Sequence, residues 1–210
     1  LAEVWAEKAE VGIVLKNSVG QAGRQIKVLK DIRISSETLI SIMHSGHYDL
    51  AEDFIIQHPI MMSLSDSGVN TIRIITQEQN GRIDLMAARI RISINSKVDN
   101  LAAGNAAAPI DLETGIVTGP AVFSDITKSD ISFHPVSGAR IIGFQVPLWQ
   151  QVVEMVIEAA LLIPENRSVG WDVAITSHGP LIIEGNHNWC KLLWQLPVKK
   201  GLKEELEVYI

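Results

Sequence analysis

The sequence lacks several features that define whole classes of protein. A single cysteine, Cys190, excludes an internal disulfide and is typical of a reducing compartment. No apolar run approaches the roughly 20 residues that cross a bilayer, because Glu154 and Glu158 interrupt the best candidate at residues 152–163. The six histidines show no metal-ligand spacing, which argues against a zinc site. We therefore expect a cytoplasmic protein with no membrane span.

The basic residues are too few and too scattered to indicate that the protein binds nucleic acid. The chain carries 18 Lys and Arg against 24 Asp and Glu, a net charge of -6, whereas a nucleic-acid binder shows a basic stripe. Hydrophobic residues make up 47% and charged residues 20% of the 210 residues, as in folded domains. This length allows one sizeable core, or two lobes that share a cleft.

Two apolar segments near the carboxyl end, residues 170–176 and 178–186, read as the strands of a hairpin. Side chains alternate along a strand, so Glu184 and Asn186 point the same way, and an antiparallel return brings Asp172 beside them. Oxygen ligands of this kind suit Mg²⁺, which nucleotide phosphates help to hold. The alternative is that acidic residues stand at strand ends because those ends are wet.

A second hairpin is predicted near the amino end, from residues 12–16 and 25–29. The loop between these strands contains Gly20 and Gly23, and glycine lets backbone amides approach a phosphate closely. Lys16 ends the first strand and would face the same ligand. A long hairpin connection with a solvated lysine explains the same residues, because short glycine patterns are weak signals.

The remaining pattern alternates short strands with amphipathic helices. Asn80-Gly81 is a hairpin signal between two long strands. Arg89 and Arg91 alternate with isoleucines on the second of these strands, so both could simply occupy a solvated face. The predicted segments are a helix at 36–47, a strand at 53–59, a hinge at 63–68, strands at 69–76 and 83–93, a mobile loop at 95–108, a hairpin at 111–119 and a helix at 147–162.

Taken in order, these segments resemble the ATP-grasp fold. More narrowly, they resemble its sugar-transfer-associated branch, which is related to alpha-L-glutamate ligases. The resemblance runs over nearly the whole chain, and its carboxyl-terminal half is the more specific part. It is carried by Lys16, residues 20–24, 67–74, 88–91 and 98–100, His134-Pro135, the Gly-Trp-Asp at 170–172 and the Glu-Gly-Asn at 184–186.

The resemblance implies an α+β protein in which two lobes clasp a nucleotide. The small lobe would span residues 1–64 and the large lobe residues 65–210, without the amino-terminal lobe that most relatives carry. In the small lobe, Lys16 would contact the phosphates and Gly20 and Gly23 would cover them. The adenine edge would meet Ile56 and Gln57, although the family usually has an acid at the place of Gln57.

The resemblance also implies the chemistry of the large lobe. Asp172, Glu184 and Asn186 match the family's metal ligands, for ATP and Mg²⁺ as cofactors. Positions typical of this branch, aimed at the transferred phosphoryl group or the acyl substrate, are Arg73, Arg91 and Asn100.

The function that follows is ligation of a small-molecule acid to an amine through an acyl phosphate. The pathway expected from the resemblance is polysaccharide or cell-envelope conjugate biosynthesis, in which one substrate is linked to a sugar. Two alternatives stay open: a kinase-like phosphotransferase of the same fold, and a non-catalytic nucleotide-binding module.

Overall fold

The computed structural model describes residues 2–19, 26–97 and 99–209. The chain forms two compact units, Leu1–Ile56 and Gln57–Ile210. This division falls earlier than the one expected between residues 64 and 65. The reason is that the helix Pro59–Leu64 buries Met61 and Leu64 in the core of the second unit.

The first unit is a three-stranded antiparallel sheet with helices. Its strand order is β2-β1-β3, and Lys16 lies opposite Ile26 and Leu50. The predicted helix and amino-terminal hairpin are confirmed, whereas Gly20 and Gly23 lie outside the described residues. The elements of this unit are α1 (Ala2–Lys8), β1 (Ile13–Lys16), β2 (Ile26–Leu29), α2 (Ser36–Gly46) and β3 (Leu50–Asp53).

The strand predicted at residues 53–59 is wrong in its position. β3 ends at Asp53, and α3 (Pro59–Leu64) begins where the strand was expected to continue. Proline at the first helical position has a backbone angle that suits a helix and lacks an amide hydrogen to leave unpaired. The His58 ring caps this helix by accepting a hydrogen bond from the amide of Ile60, at 3.1 Å.

The second unit is built on a six-stranded antiparallel sheet with the order β7-β6-β5-β4-β8-β9. The turn between β4 and β5 contains Asn80 and Gly81, both with positive φ, which confirms the hairpin prediction. Its remaining elements are β4 (Ile72–Gln79), β5 (Arg82–Ile92), a 3₁₀ turn (Leu101–Ala103), β6 (Ala106–Ile110), β7 (Val122–Phe123), α4 (Trp149–Leu161), β8 (Ser168–Thr176), β9 (Gly179–Asn186), α5 (Lys191–Gln195), a second 3₁₀ turn (Leu196–Val198) and α6 (Lys203–Glu207).

The loop predicted at residues 95–108 is wrong in its last three residues. Residues 106–110 form β6, which pairs with β5 on one side and β7 on the other, and every residue of β6 is buried. Alanine has low strand propensity, which concealed this strand in the sequence. Packing overrides that propensity here, because three consecutive alanines fit inside the sheet without exposed side chains.

The two faces of this sheet differ in chemistry. One face packs on α4, and its core includes Ile72, Ile90, Val152 and Val156. Because side chains alternate, the intervening residues point to the opposite side. We call that side the polar face and define it by Arg73, Arg89, Arg91, Asp172 and Glu184.

The carboxyl-terminal segment covers part of the polar face. Trp194 of α5 packs in a small cluster with Ile75, Ala87 and Leu202. Leu193 packs with Leu101 and Ala107. Within the described ranges, no helix combines the length and the apolar character that crossing a bilayer requires.

Candidate active site

Strand register places the predicted charged residues in one row across the polar face. Arg73 on β4 lies opposite Arg89 on β5 and opposite Asp172 on β8. Asp172 in turn lies opposite Glu184 on β9, immediately before the register of that ladder shifts. Arg91, two residues beyond Arg89 on β5, is on the same side of the sheet.

Asp172 is buried between two arginines. It is 2% exposed. The Nε and Nη2 groups of Arg73 donate to its two oxygens, with Nη2 at 2.9 Å from Oδ2. Arg91 Nη2 donates to the same Oδ2 at 2.8 Å. Gly170 makes room for Trp189 and Arg73, because a Cβ there would lie 2.6 Å from Cβ of Trp189 and 3.2 Å from Cδ of Arg73.

The arginines keep the Asp172 carboxylate ionised despite its burial. Burial on its own raises the pKa of Asp172. The hydrogen bonds from Arg73 and the charges of Arg91 and Arg73 outweigh burial and lower the pKa of Asp172 below its ordinary value. A buried carboxylate that stays charged is available to a cation or to cationic side chains.

The structure adds two residues to this site that sequence reasoning did not select, Asp99 and Thr71. The backbone amide and the hydroxyl of Thr71 donate to Asp99 Oδ2 at 2.8 and 2.5 Å. The same hydroxyl accepts a hydrogen bond from Arg91 Nε at 2.8 Å, and Arg91 Nη2 lies 3.3 Å from Asp99 Oδ1. Both residues lie in segments that carry the family resemblance, Thr71 in 67–74 and Asp99 in 98–100.

The charges in this group act on each other. Burial raises the pKa of Asp99 above its ordinary value, more than the nearby Arg91 charge lowers it. For Arg91, burial alone lowers the pKa of the guanidinium, but the charges of Asp99 and Asp172 outweigh burial and raise it. Arg91 therefore remains a cation although it is largely buried on the polar face.

Glu184 and Asn186 lie at the edge of the cluster. Glu184 is exposed. The Nδ2 group of Asn186 contacts Glu184 Oε1 at 3.2 Å and the carbonyl of Gly170 at 3.4 Å. The hairpin therefore brings together the three residues predicted as metal ligands. Unlike Asp172, Glu184 makes no ion pair with any described residue.

The donor set at this hairpin fits a hard divalent cation. An ionised carboxylate has about four acceptor positions, and the arginines fill three of those on Asp172. One position on Oδ1 remains, and the strand register places Glu184 opposite Asp172, with Asn186 in contact with Glu184. Oxygen donors of this kind are the ligands that Mg²⁺ prefers.

The guanidinium groups keep donors available. In the part of the chain that the structure describes, neither Arg73 nor Arg91 uses Nη1 in a hydrogen bond. Neither Nη1 atom is fully enclosed, because the only enclosed side-chain donor without a partner among the described residues is Nε1 of Trp194. The side chains of Arg73 and Arg91 are 7% and 12% exposed. Among the described residues, each arginine thus retains one nitrogen donor without a partner, and that donor is available to an anion.

Arg89 lies on the same strand and the same face as Arg91, but it donates to backbone carbonyls of the protein. Its Nε and Nη2 donate to the carbonyl of Trp194 at 3.1 and 2.7 Å, and its Nη1 donates to the carbonyl of Ala88. Burial lowers the pKa of Arg89 to about 10. Arg89 thus fastens the last turn of α5 to the sheet.

The other predicted residues of the second unit have local partners. Asn100 caps the 3₁₀ turn by accepting a hydrogen bond from the amide of Ala102, at 2.9 Å. Gln57 is buried: its Nε2 donates to the Asn70 carbonyl at 2.8 Å, and its Oε1 accepts from the Asn70 backbone amide at 3.0 Å.

In the first unit, Lys16 forms an ion pair with Glu52, and its side chain is 25% exposed. Ile56, the last residue of this unit, is 57% exposed.

Comparison with known proteins identifies the family of this chain. Residues 4–209 match the model of a family described as sugar-transfer associated ATP-grasp. No curated protein sequence matches the chain. Among solved structures, the chain is similar to the biotin carboxylase domain dimer of the 2-oxoglutarate carboxylase from Hydrogenobacter thermophilus, in complex with MgADP, ADP and bicarbonate. The identity is 15% and the TM-score 0.48, over 90% of this chain and 34% of that one. The chain thus spans about a third of that protein.

Proposed function

Because the chain belongs to the sugar-transfer associated ATP-grasp family, we propose that it is an ATP- and Mg²⁺-dependent ligase that joins a carboxylate to an amine. ATP activates the acid by phosphorylating it, and the amine then displaces phosphate from the acyl phosphate. The observation that carries this proposal is the convergence of Arg73 and Arg91 on Asp172, beside Glu184.

The residues that would hold Mg²⁺ are Asp172, Glu184 and Asn186. When bound, the ion supplies positive charge to the phosphate oxygens. The protein's own contribution is to keep Asp172 ionised and to keep Glu184 free of competing ion pairs in the described part of the chain.

Arg73 and Arg91 would contact the transferred phosphoryl group through Nη1, which has no partner among the described residues. Phosphoryl transfer spreads negative charge over three oxygens, so catalysis depends mainly on positioning and on preorganised positive charge. A guanidinium that is already fixed by a carboxylate has little rotational freedom left to lose when it binds the anion. Both arginines meet this condition through Asp172.

Asn100 is proposed to face the acyl substrate. Its Oδ1 is engaged by Ala102. Its Nδ2 group makes no hydrogen bond with a described residue and is therefore able to donate to a substrate oxygen.

Lys16, Gly20, Gly23, Ile56 and Gln57 are proposed to contact the nucleotide. Lys16 would exchange its ion pair with Glu52 for the phosphates, which the exposed part of its side chain favours. Gln57 would contribute backbone atoms, because Asn70 occupies its side chain. The two compact units of the chain are proposed to be the small and large ATP-grasp lobes.

Product analysis tests the proposed function. The chain is incubated with ATP, Mg²⁺ and a pool of small acids and amines that includes sugar-linked forms, and the products are identified by mass spectrometry. A ligase releases ADP and phosphate only when both an acid and an amine are present. A stable phosphorylated acceptor would instead indicate a phosphotransferase, and nucleotide binding without turnover would indicate a binding module; either result overturns the ligase proposal.

A further inference from the structure

Arg91 is held by a closed ring of contacts that does not include a proposed metal ligand. Thr71 Oγ1 donates to Asp99 at 2.5 Å and accepts from Arg91 Nε at 2.8 Å. Asp99 closes the ring with its ion pair to Arg91 Nη2 at 3.3 Å. The backbone adds a further constraint, because the amide of Arg91 donates to the carbonyl of Thr71 at 2.8 Å.

This ring fixes the direction of the Arg91 guanidinium. Nε and Nη2 of Arg91 make two hydrogen bonds, to Thr71 and Asp172, and one ion pair, to Asp99. Among the described residues, Nη1 is the nitrogen that these contacts leave without a partner. Asp172 alone would fix one nitrogen and leave the group free to rotate about that contact. The second and third contacts remove this rotation, and a planar guanidinium transmits the constraint to its remaining nitrogen.

Arg73 provides the contrast within the same cluster. Its Nε and Nη2 both contact Asp172, so a single carboxylate fixes that guanidinium in a bidentate manner. Arg91 reaches Asp172 with one nitrogen only. It therefore needs partners from elsewhere, and Asp99 and Thr71 supply them.

Resting on the function proposed above, we propose that Asp99 and Thr71 are positioning residues that aim Nη1 of Arg91 at the transferred phosphoryl group. Neither residue contacts the substrate in this role. Their effect reaches the reaction through the Arg91 guanidinium, which they hold in the orientation that the transition state requires.

The test compares a ground-state ligand with a mimic of the transferring phosphoryl group. Affinities for MgADP and for MgADP with fluoroaluminate are measured by calorimetry in the whole chain and in the variants Asp99→Asn and Thr71→Val. We expect MgADP affinity to change little, and the added affinity from fluoroaluminate to fall by roughly tenfold or more, as for loss of a hydrogen bond to a charged group. Thr71→Ser retains the hydroxyl and should retain the added affinity.

Two controls separate positioning from a general effect on structure. Asp125 in an exposed turn accepts hydrogen bonds from the amide and hydroxyl of Thr127, as Asp99 does from Thr71. Asp125→Asn should therefore leave fluoroaluminate discrimination unchanged. In an Arg91→Lys background, Asp99→Asn should have little further effect, because residues that act through one group are not additive. Full additivity would overturn the proposal.

A second measurement does not depend on nucleotide binding. Modification of arginines by phenylglyoxal is followed by peptide mass spectrometry, with the exposed Arg33 as the internal standard. Asp99→Asn and Thr71→Val should raise the rate at Arg91 relative to that at Arg33, and an unchanged rate overturns the positioning role. Failure of the wild-type chain to bind MgADP would overturn the proposed function instead, so the two failures are distinguishable.

Discussion

Asp172 and Glu184 lie opposite each other on adjacent antiparallel strands, yet one is buried and the other exposed. Asp172 is 2% exposed and is paired with two arginines. Glu184 forms no ion pair with a described residue. Asp172 is therefore expected to contribute to the stability of the fold as well as to metal binding, whereas Glu184 is expected to contribute to metal binding alone. Stability measurements separate these two roles.

Asp172→Asn should destabilise the second unit strongly, whereas Glu184→Gln should not. Neutralising Asp172 leaves the guanidinium of Arg73 buried without a counter-charge, and breaking a buried pair costs about 3–5 kcal/mol. The free energy of unfolding should therefore fall by roughly 3 kcal/mol for Asp172→Asn and by less than about 0.5 kcal/mol for Glu184→Gln. Urea denaturation followed by tryptophan fluorescence measures both values. Equal losses would contradict the assigned burial.

Glu184→Gln should instead reduce the benefit of Mg²⁺ to nucleotide binding. Gln keeps the shape of the side chain but loses the negative charge with which a carboxylate attracts a divalent cation. We expect the ratio of ADP affinities with and without Mg²⁺ to fall by about tenfold, or about 1.4 kcal/mol. Calorimetric titration in both conditions gives this ratio. The matched control is Glu158→Gln on the exposed side of α4; if it lowers the ratio equally, the metal assignment is wrong.

Lys16→Ala should weaken nucleotide binding more than it lowers stability. The Lys16–Glu52 ion pair lies partly exposed on the first unit, and such pairs contribute about 1 kcal/mol or less. Lys8→Ala is the matched control, because Lys8 forms a comparable ion pair with Asp53. Thermal unfolding and ADP titration of both variants check the prediction. Similar ADP affinities in the two variants would remove Lys16 from the proposed site.

The sequence predicted the family, the α+β class and the convergence of the residues of the carboxyl-terminal hairpin. The family match over residues 4–209 confirms the resemblance. Alternation along strands also predicted correctly that Asp172, Glu184 and Asn186 come together, since a hairpin places its pairs locally. These successes share one property: each depends on residues that are close in sequence.

Contacts between distant segments were outside the reach of sequence patterns. Nothing in the periodicity indicated that Arg73 would contact Asp172, 99 residues away, or that Thr71 would contact Asp99. The pairing of β4 with β8 creates the first contact, and the course of the chain after β5 creates the second. The alternation of Arg89 with Arg91 similarly concealed their different environments, because both occupy one face of one strand.

Substitution of lysine for each of these two arginines should separate structure from function. Arg89→Lys loses the paired donors to the Trp194 carbonyl, so we expect the free energy of unfolding to fall by about 1.5–3 kcal/mol. Nucleotide and fluoroaluminate affinities should remain near those of the wild-type chain. Arg91→Lys retains a positive charge but loses the planar arrangement that reaches Thr71 and Asp172 together. The affinity of this variant for fluoroaluminate should therefore fall by tenfold or more, which corresponds to a loss of about 1.4 kcal/mol or more in binding free energy.

The pair is informative because both substitutions conserve charge on the same strand. Urea denaturation gives the free energy of unfolding of each variant, and calorimetry gives its fluoroaluminate affinity. We expect the loss of affinity to be larger in Arg91→Lys than in Arg89→Lys. If Arg89→Lys reduced fluoroaluminate affinity as much as Arg91→Lys did, α5 and its Arg89 anchor would have to be part of the reaction site. The assignment of a structural role to Arg89 and a role in the reaction to Arg91 would then be wrong.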